Sequence, residues 1–378
     1  STSAPFTRLP KLNRKGLVFN TETRVGLSRT LFRAVPAAKV SAGWTDLPGL
    51  MRAREFWHKH DKLASLYVSH SSDAGSVRGV PVWFVSHCWM PPPEWEDVMG
   101  RECDYAEVKA AEVCITAKDI ADRVWGDSQR WEEVHLWVDK CCIPQADPQL
   151  RDYSIHLIED FIRLSEGLIV QLSWNYFSRL WCVYEWACFL RSHDISDITL
   201  CVDPYLRDGS FALLGRSIRE FRLESCNCIM ESDRAVLFAK VESYYSSHAQ
   251  FESLLKFSAI CLVVRSLLER RHATSSVSAL LKPWADIARD LAFEDLYVAL
   301  QAVIAEVPEW RDSSVRHVQV QASTRSVHAA FNERLNRWFE VAIKPLVRRC
   351  QAAAIRGARN FPQRHPSRVC LPQTAACA

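Results

Sequence analysis

Gly167-Leu168-Ile169-Val170-Gln171-Leu172-Ser173 decides the fold. Its interior is apolar except for Gln171, it is opened by a glycine, and it ends in a serine. A strand with one wet face alternates apolar and polar residues. A nearly unbroken apolar run is a strand covered on both faces. Working outward, the same texture recurs three times. Val82-Trp83-Phe84-Val85-Ser86 is β-branched and aromatic, and Pro91-Pro92-Pro93 stops any element after it. Val134-His135-Leu136-Trp137-Val138-Asp139 reads as a strand whose following loop is broken by Pro144 and Pro148, and Ile198-Thr199-Leu200-Cys201-Val202 reads as another. Residues 104–125 carry Ala, Val and Ile at helical spacing, and helices are expected at about 150–165 and 177–192. Apolar strands alternating with helices predict an α/β fold with a parallel sheet covered on both faces.

Beyond residue 230 the pattern turns helical, at about 232–245, 251–270, 282–304 and 327–355. Phe251, Leu254, Leu255, Ser258 and Leu262 form one stripe of the second of these helices, the signature of a face packed on a core. Residues 1–45 show no sustained periodicity, and a short helix is expected around 46–63. The chain is therefore expected to divide into a basic, partly irregular extension (1–75), an α/β domain (76–230), a C-terminal all-α extension (231–355) and a basic flexible tail (356–378). No internal repeat is visible.

Composition narrows the function. The 378 residues are 48% hydrophobic and 24% charged, which suits an ordinary globular chain. The longest uncharged apolar run of the helical half, Phe257 to Val264, is far below the roughly 18 residues of a membrane span, so none is expected. Net charge is +3 but uneven: residues 1–40 hold eight Lys/Arg and one acid, and residues 341–378 hold seven and none. The stretch between them is acidic, which argues against nucleic acid as the main partner and leaves the arms as the one feature favouring it. Fourteen cysteines include no Cys-x-x-Cys pair and lie mostly in apolar segments, as free thiols do in a reducing compartment, so a cytoplasmic location is expected. Cys226-x-Cys228 and Cys141-Cys142 are poor metal sites, and no metal is expected. The chain starts Ser-Thr-Ser without Met, as a fragment or processed form does. Its Arg-rich start distantly resembles a transit peptide without a convincing cleavage signal.

One stretch carries an expectation of chemistry. Between Arg179 and Arg191, in Leu180-Trp181-Cys182-Val183-Tyr184-Glu185-Trp186-Ala187-Cys188-Phe189-Leu190, Glu185 is the only charged residue. A helix apolar all round is buried, and a carboxylate in it is costly unless paired, hydrogen-bonded or open to a pocket. Ser86, His87, Asp139 and Ser173 fall at carboxyl ends of strands, where ligands gather in open parallel sheets. Phosphate-loop, dinucleotide-fingerprint, zinc-protease and nucleophile-elbow motifs are absent.

These residues resemble the Toll/interleukin-receptor (TIR) superfamily, including its heterokaryon-incompatibility branch. Phe84-Val85-Ser86-His87-Cys88-Trp89 resembles the first strand of that branch, and Leu136-Trp137-Val138-Asp139-Lys140-Cys141-Cys142-Ile143-Pro144-Gln145 resembles its second strand and loop. Leu168 to Ser173 with Asn175-Tyr176 is similar to the TIR third strand, and Trp181-Cys182-x-x-Glu185 to the Trp-Cys-x-x-Glu of many TIR domains. The likeness covers about residues 80–205. It implies a flavodoxin-like sheet and one of two roles. As an NAD glycohydrolase, the protein would cleave the nicotinamide–ribose bond with Glu185 as catalytic residue. Ser86, His87, Trp89, Asp139, Trp181 and Cys182 would then bind NAD or a related nucleotide, with Trp137 a further stacking candidate. As a non-catalytic scaffold, it would self-associate or join other TIR-like domains through the loop Cys141, Cys142, Ile143, Pro144 and Gln145. In this sequence Tyr184 and Trp186 flank the glutamate with unusual bulk, and three prolines follow Trp89.

Overall fold

The computed structural model describes residues 21–45, 81–144, 147–206, 208–269, 277–318, 333 and 336–356. The helix expected at 46–63, Gln145 and the tail beyond 356 lie outside them.

Four strands form the parallel heart of the sheet: β2 (Val82–His87), β3 (His135–Trp137), β4 (Gly167–Gln171) and β5 (Ile198–Cys201). A two-residue strand β1 (Val35–Pro36) joins antiparallel to β3, giving the order β1-β3-β2-β4-β5. Every residue of β2 and β4 is buried, as their unbroken apolar runs require. Their register sets Phe84 beside Leu168 and His87 beside Gln171. Gly167 is fixed by close approach, since a Cβ there would lie 2.6 Å from the Trp83 ring. The chain leaves β2 for β3 on one side and then crosses to β4 on the other, so the winding reverses around β2.

The Tyr105–Trp125 helix packs against β4, β5 and the Ala37–Thr45 helix. The Ile158–Leu164 and Leu180–Ser192 helices pack against β2 and each other. Asp104 caps the first of these by accepting the Ala106 N–H at 2.6 Å, and Gly126 ends it in the left-handed region at φ 69°.

After β5 every described element is helical. The His248–Glu269 helix is the axis of that region, and its predicted stripe is wholly buried. It touches β5 and the Leu180–Ser192 helix, so the extension is built onto the sheet.

Several boundaries differ from expectation. The segment 134–139 ends as a strand at Trp137, because Cys141 and Cys142 return their N–H groups to the Val138 carbonyl and open a short Asp139–Cys142 helix. The span 150–165 is two helices meeting at Leu157. The span 282–304 is also two, Val277–Asp290 and Glu294–Val318. Between them Ala292 takes φ 56°, with Phe293 N bonded to Ala288 O and Ala292 N to Arg289 O, a Schellman turn built without glycine. Residues 21–45, placed by sequence in an extension, supply an edge strand and two helices to the sheet unit. No helix among the described residues is long and apolar enough to cross a membrane.

Candidate functional site

A cleft of about 340 Å³ opens beyond the carboxyl ends of β2 and β3, against the start of the Leu180–Ser192 helix. Its position follows from the reversal of winding around β2: the segment leaving β2 leads to β3 on one side, and the segment leaving β4, which carries Arg179 to Glu185, leads to β5 on the other. His87 and Trp89 enter it from β2, Asp139 and Ile143 from β3, and Arg179, Trp181, Cys182 and Glu185 from the helix. Asn227 to Met230 and Asp233 close the far wall.

Glu185 is 9% exposed. Its Oε2 accepts a 2.6 Å hydrogen bond from the Ser86 hydroxyl. Ser86 Oγ lies 2.6 Å from the Tyr176 hydroxyl, whose single proton can go to Ser86 or to the Cys182 carbonyl 3.0 Å away. No Lys, Arg or His among the described residues forms an ion pair with Glu185. Burial therefore dominates its titration, and the charges of Asp139 and Cys88 add to it against the Ser86 bond; the carboxyl is pushed up to about 8.

Asp139 is the opposite case. Burial pushes its carboxyl up, but the hydrogen bond and charge of His87, with Lys140, outweigh it and hold the group below its usual range. Trp89 Nε1 donates to Oδ2 at 2.7 Å, His87 Nε2 lies 3.3 Å from Oδ1, and the Lys140 N–H donates at 2.6 Å. Behind it His87 Nδ1 lies 2.7 Å from Lys109 Nζ, which also donates to the Cys88 carbonyl at 2.6 Å. Lys109 as donor makes Nδ1 the acceptor and leaves the ring proton on Nε2, facing Asp139. Burial, then the Lys109 charge, lowers His87 to about 4. Burial, then Lys140, lowers Lys109 to about 7. At neutral pH the cleft thus holds one carboxylate and one protonated carboxyl, the separation of pKa values that divides acid and base roles.

The sequence-chosen residues converge with differences. His87, Trp89, Asp139, Trp181, Cys182 and Glu185 all line the cleft. Ser86 does not; fully buried, it stands behind Glu185 and orients it. Trp137 is corrected outright: it is 0% exposed and stacks on Phe84 at 4.3 Å inside the core. Cys141, Cys142 and Ile143 of the expected interaction loop are buried, with Ile143 facing the cleft. Tyr184 and Trp186 turn away from the cleft, the first donating to Glu159 and the second packing on Tyr176 and Phe177. The loop of three prolines is held by Trp174 Nε1 on the Pro93 carbonyl and by Asn175 on Met90.

Sequence reasoning missed Lys109 and Tyr176 as parts of this network. Lys109 sits in a helix of alternating Ala, Glu and Lys, where a lysine reads as solvated. Only the tertiary position of that helix buries it. Comparison with family models, with curated proteins and with solved structures finds no match for this chain.

Proposed function

We propose that this is a TIR-like signalling protein with a flavodoxin-like sheet, and that it hydrolyses NAD at the nicotinamide–ribose bond through Glu185. The observation that carries the reading is a carboxyl in a buried helix, free of any cationic partner among the described residues and facing an open cleft. The flavodoxin-like assignment is supported by the order β3-β2-β4-β5 of the parallel strands. A cytoplasmic location is supported by the lack of a disulfide among the twelve described cysteines.

In this reading the ribose lies against Glu185. The C1′–N bond breaks and its electron pair leaves with nicotinamide, whose ring nitrogen becomes neutral. The positive charge developing on the sugar is stabilised by the Glu185 carboxylate, strengthened by its poorly solvated surroundings. Water supplies hydroxide to C1′, and its second proton goes to solvent. Substrate cation in the cleft favours the ionised form of Glu185, drawing its pKa down on binding. Asp139, already ionised, holds Trp89 and His87 in place from the other side.

The scaffold reading is supported less well, because three residues of its expected contact loop are buried. The deciding experiment is nicotinamide release from NAD by the purified full chain and by Glu185→Gln. Turnover by the native chain alone supports the proposal, and absence of turnover by the assembled native chain removes it.

A further inference from the structure

The proposed chemistry uses the carboxyls of the cleft and leaves a cation unexplained. Arg179 lines the cleft beside Trp181, Cys182 and Glu185. Among the described residues its side chain makes no ion pair and no hydrogen bond. The other arginine of the cleft is engaged: Arg151 pairs with Asp152 at 3.4 Å; just outside the lining, Lys140 Nζ sits 4.9 Å from the centre of the Trp89 ring. The Arg179 charge is felt within the cleft, where it opposes the upward push of the Cys88 hydrogen bond and of burial on the Cys182 thiol, and of burial on the Cys228 thiol.

Its backbone is fixed from two sides. Arg179 N donates to Tyr176 O at 3.1 Å, and the segments on either side are tied to Asn227 by Leu180 N on Asn227 O at 3.0 Å and Asn227 N on Ser178 O at 2.6 Å. Arg179 also stands at the N-cap of the Leu180–Ser192 helix, so the positive end of that helix adds to its field. A half-buried guanidinium held this way lacks an anion, and its planar fork fits phosphoryl oxygens in pairs. The rest of the lining mixes apolar side chains, with Ile229 and Met230 exposed at the mouth, and the acids Asp139 and Asp233, each of which already accepts an indole N–H, from Trp89 and Trp181.

We propose that Arg179 is the phosphate-holding residue of this cleft, which selects nucleotides carrying a 5′-phosphoryl group over the same ribosides without it. The ligand class rests on the functional reading above; the anion subsite rests on Arg179 itself. The pair of probes that isolates it is nicotinamide mononucleotide and nicotinamide riboside, which differ by one phosphate. Each is titrated calorimetrically into the full chain, and free nicotinamide is followed chromatographically in the same samples.

The native chain is expected to bind the mononucleotide about 10- to 100-fold more tightly than the riboside, the span of a charge-assisted hydrogen bond. Arg179→Gln should collapse that ratio toward one, with a thermal unfolding transition matching that of the native chain as the check that the variant is folded. Arg179→Lys should retain part of the ratio, keeping the charge without the fork. Equal binding of the two probes by the native chain, a ratio that survives Arg179→Gln, or no binding of either probe overturns the proposal. A phosphate-dependent ratio in a chain that releases no nicotinamide from NAD sinks the hydrolase reading and leaves this one standing. Release with a ratio of one does the reverse.

Discussion

Glu185 and Asp139 line the same cleft, yet their surroundings drive their protons in opposite directions. Glu185 is the only charged residue of its helix before Arg191 and receives one serine hydroxyl. Asp139 opens a short helix and collects an indole N–H, a backbone N–H and an imidazole. Both are carboxyls near one another, so intrinsic chemistry does not separate them; the number of donors and the degree of desolvation do. The dry position makes a carboxyl whose charge is costly and therefore strongly felt by a cation placed beside it. The hydrogen-bonded position makes a structural anion.

The harshest way to break this contrast is to remove the dry carboxyl's charge for good. Glu185→Gln keeps the size and an acceptor for Ser86, and is expected to cut nicotinamide release by about 100- to 1000-fold. It should also change stability in a pH-dependent way. Native Glu185 holds a proton up to about 8, whereas the unfolded chain loses it near 4.5. The native state therefore binds more protons in that window, and stability falls as pH rises through it. Thermal melting at pH 9 should show Glu185→Gln gaining on the native protein by up to a few kcal/mol, and no gain at pH 4. Equal melting differences at both values would mean that Glu185 is not buried as a neutral group.

Next in size is the pH profile of the native chain. With an ionised Glu185 required, kcat/KM should climb about tenfold per unit below pH 8 and level off above it. A profile flat from pH 6 to 9 would show that the carboxyl is already charged or plays no part.

Much of this contrast was legible in the sequence, and the illegible part has physical causes. The strands were readable because a buried parallel strand must be apolar throughout. Glu185 stood out because one charge in an apolar helix is anomalous wherever the helix lies. The edge strand Val35–Pro36 was hidden, since two residues carry no periodicity and proline is tolerated only at an edge. The break at Ala292 was hidden because its Schellman turn lacks the customary glycine. Trp137 was misread because alternation put it with Asp139, whereas the strand ends between them. The bond from Ser86 to Glu185 spans 99 positions, and nothing local announces it.

Asp139→Asn sharpens the comparison from the polar side. An asparagine keeps one acceptor oxygen for either His87 or Trp89 but turns a donor toward the other, so about 1–3 kcal/mol of stability should be lost. The Asp139 charge is also one of the influences holding Glu185 up. Its removal should move the rising limb of the pH profile to lower pH. A limb that stays put would mean that the two carboxyls do not sense each other.

The mildest change, Ser86→Ala, should move that limb the other way. The hydroxyl is the one influence that favours the Glu185 anion against burial. While Glu185 is ionised, Ser86 donates to it and takes its own donor from Tyr176. Once Glu185 is protonated, the chain can reverse: the carboxyl donates to Ser86, Ser86 to Tyr176, and Tyr176 to the Cys182 carbonyl 3.0 Å away. Both arrangements leave every hydroxyl satisfied, which is how the site accommodates either charge state without an unpaired buried group. Alanine removes the middle member. The Tyr176 hydroxyl keeps the Cys182 carbonyl, so the stability loss should be only about 1 kcal/mol by denaturant titration. The carboxylate, however, loses its donor, and the limb should shift to higher pH while the plateau rate changes little. A shift to lower pH would mean that Ser86 accepts from Glu185 rather than donating to it, and the assignment of the serine as support for the anion would be wrong.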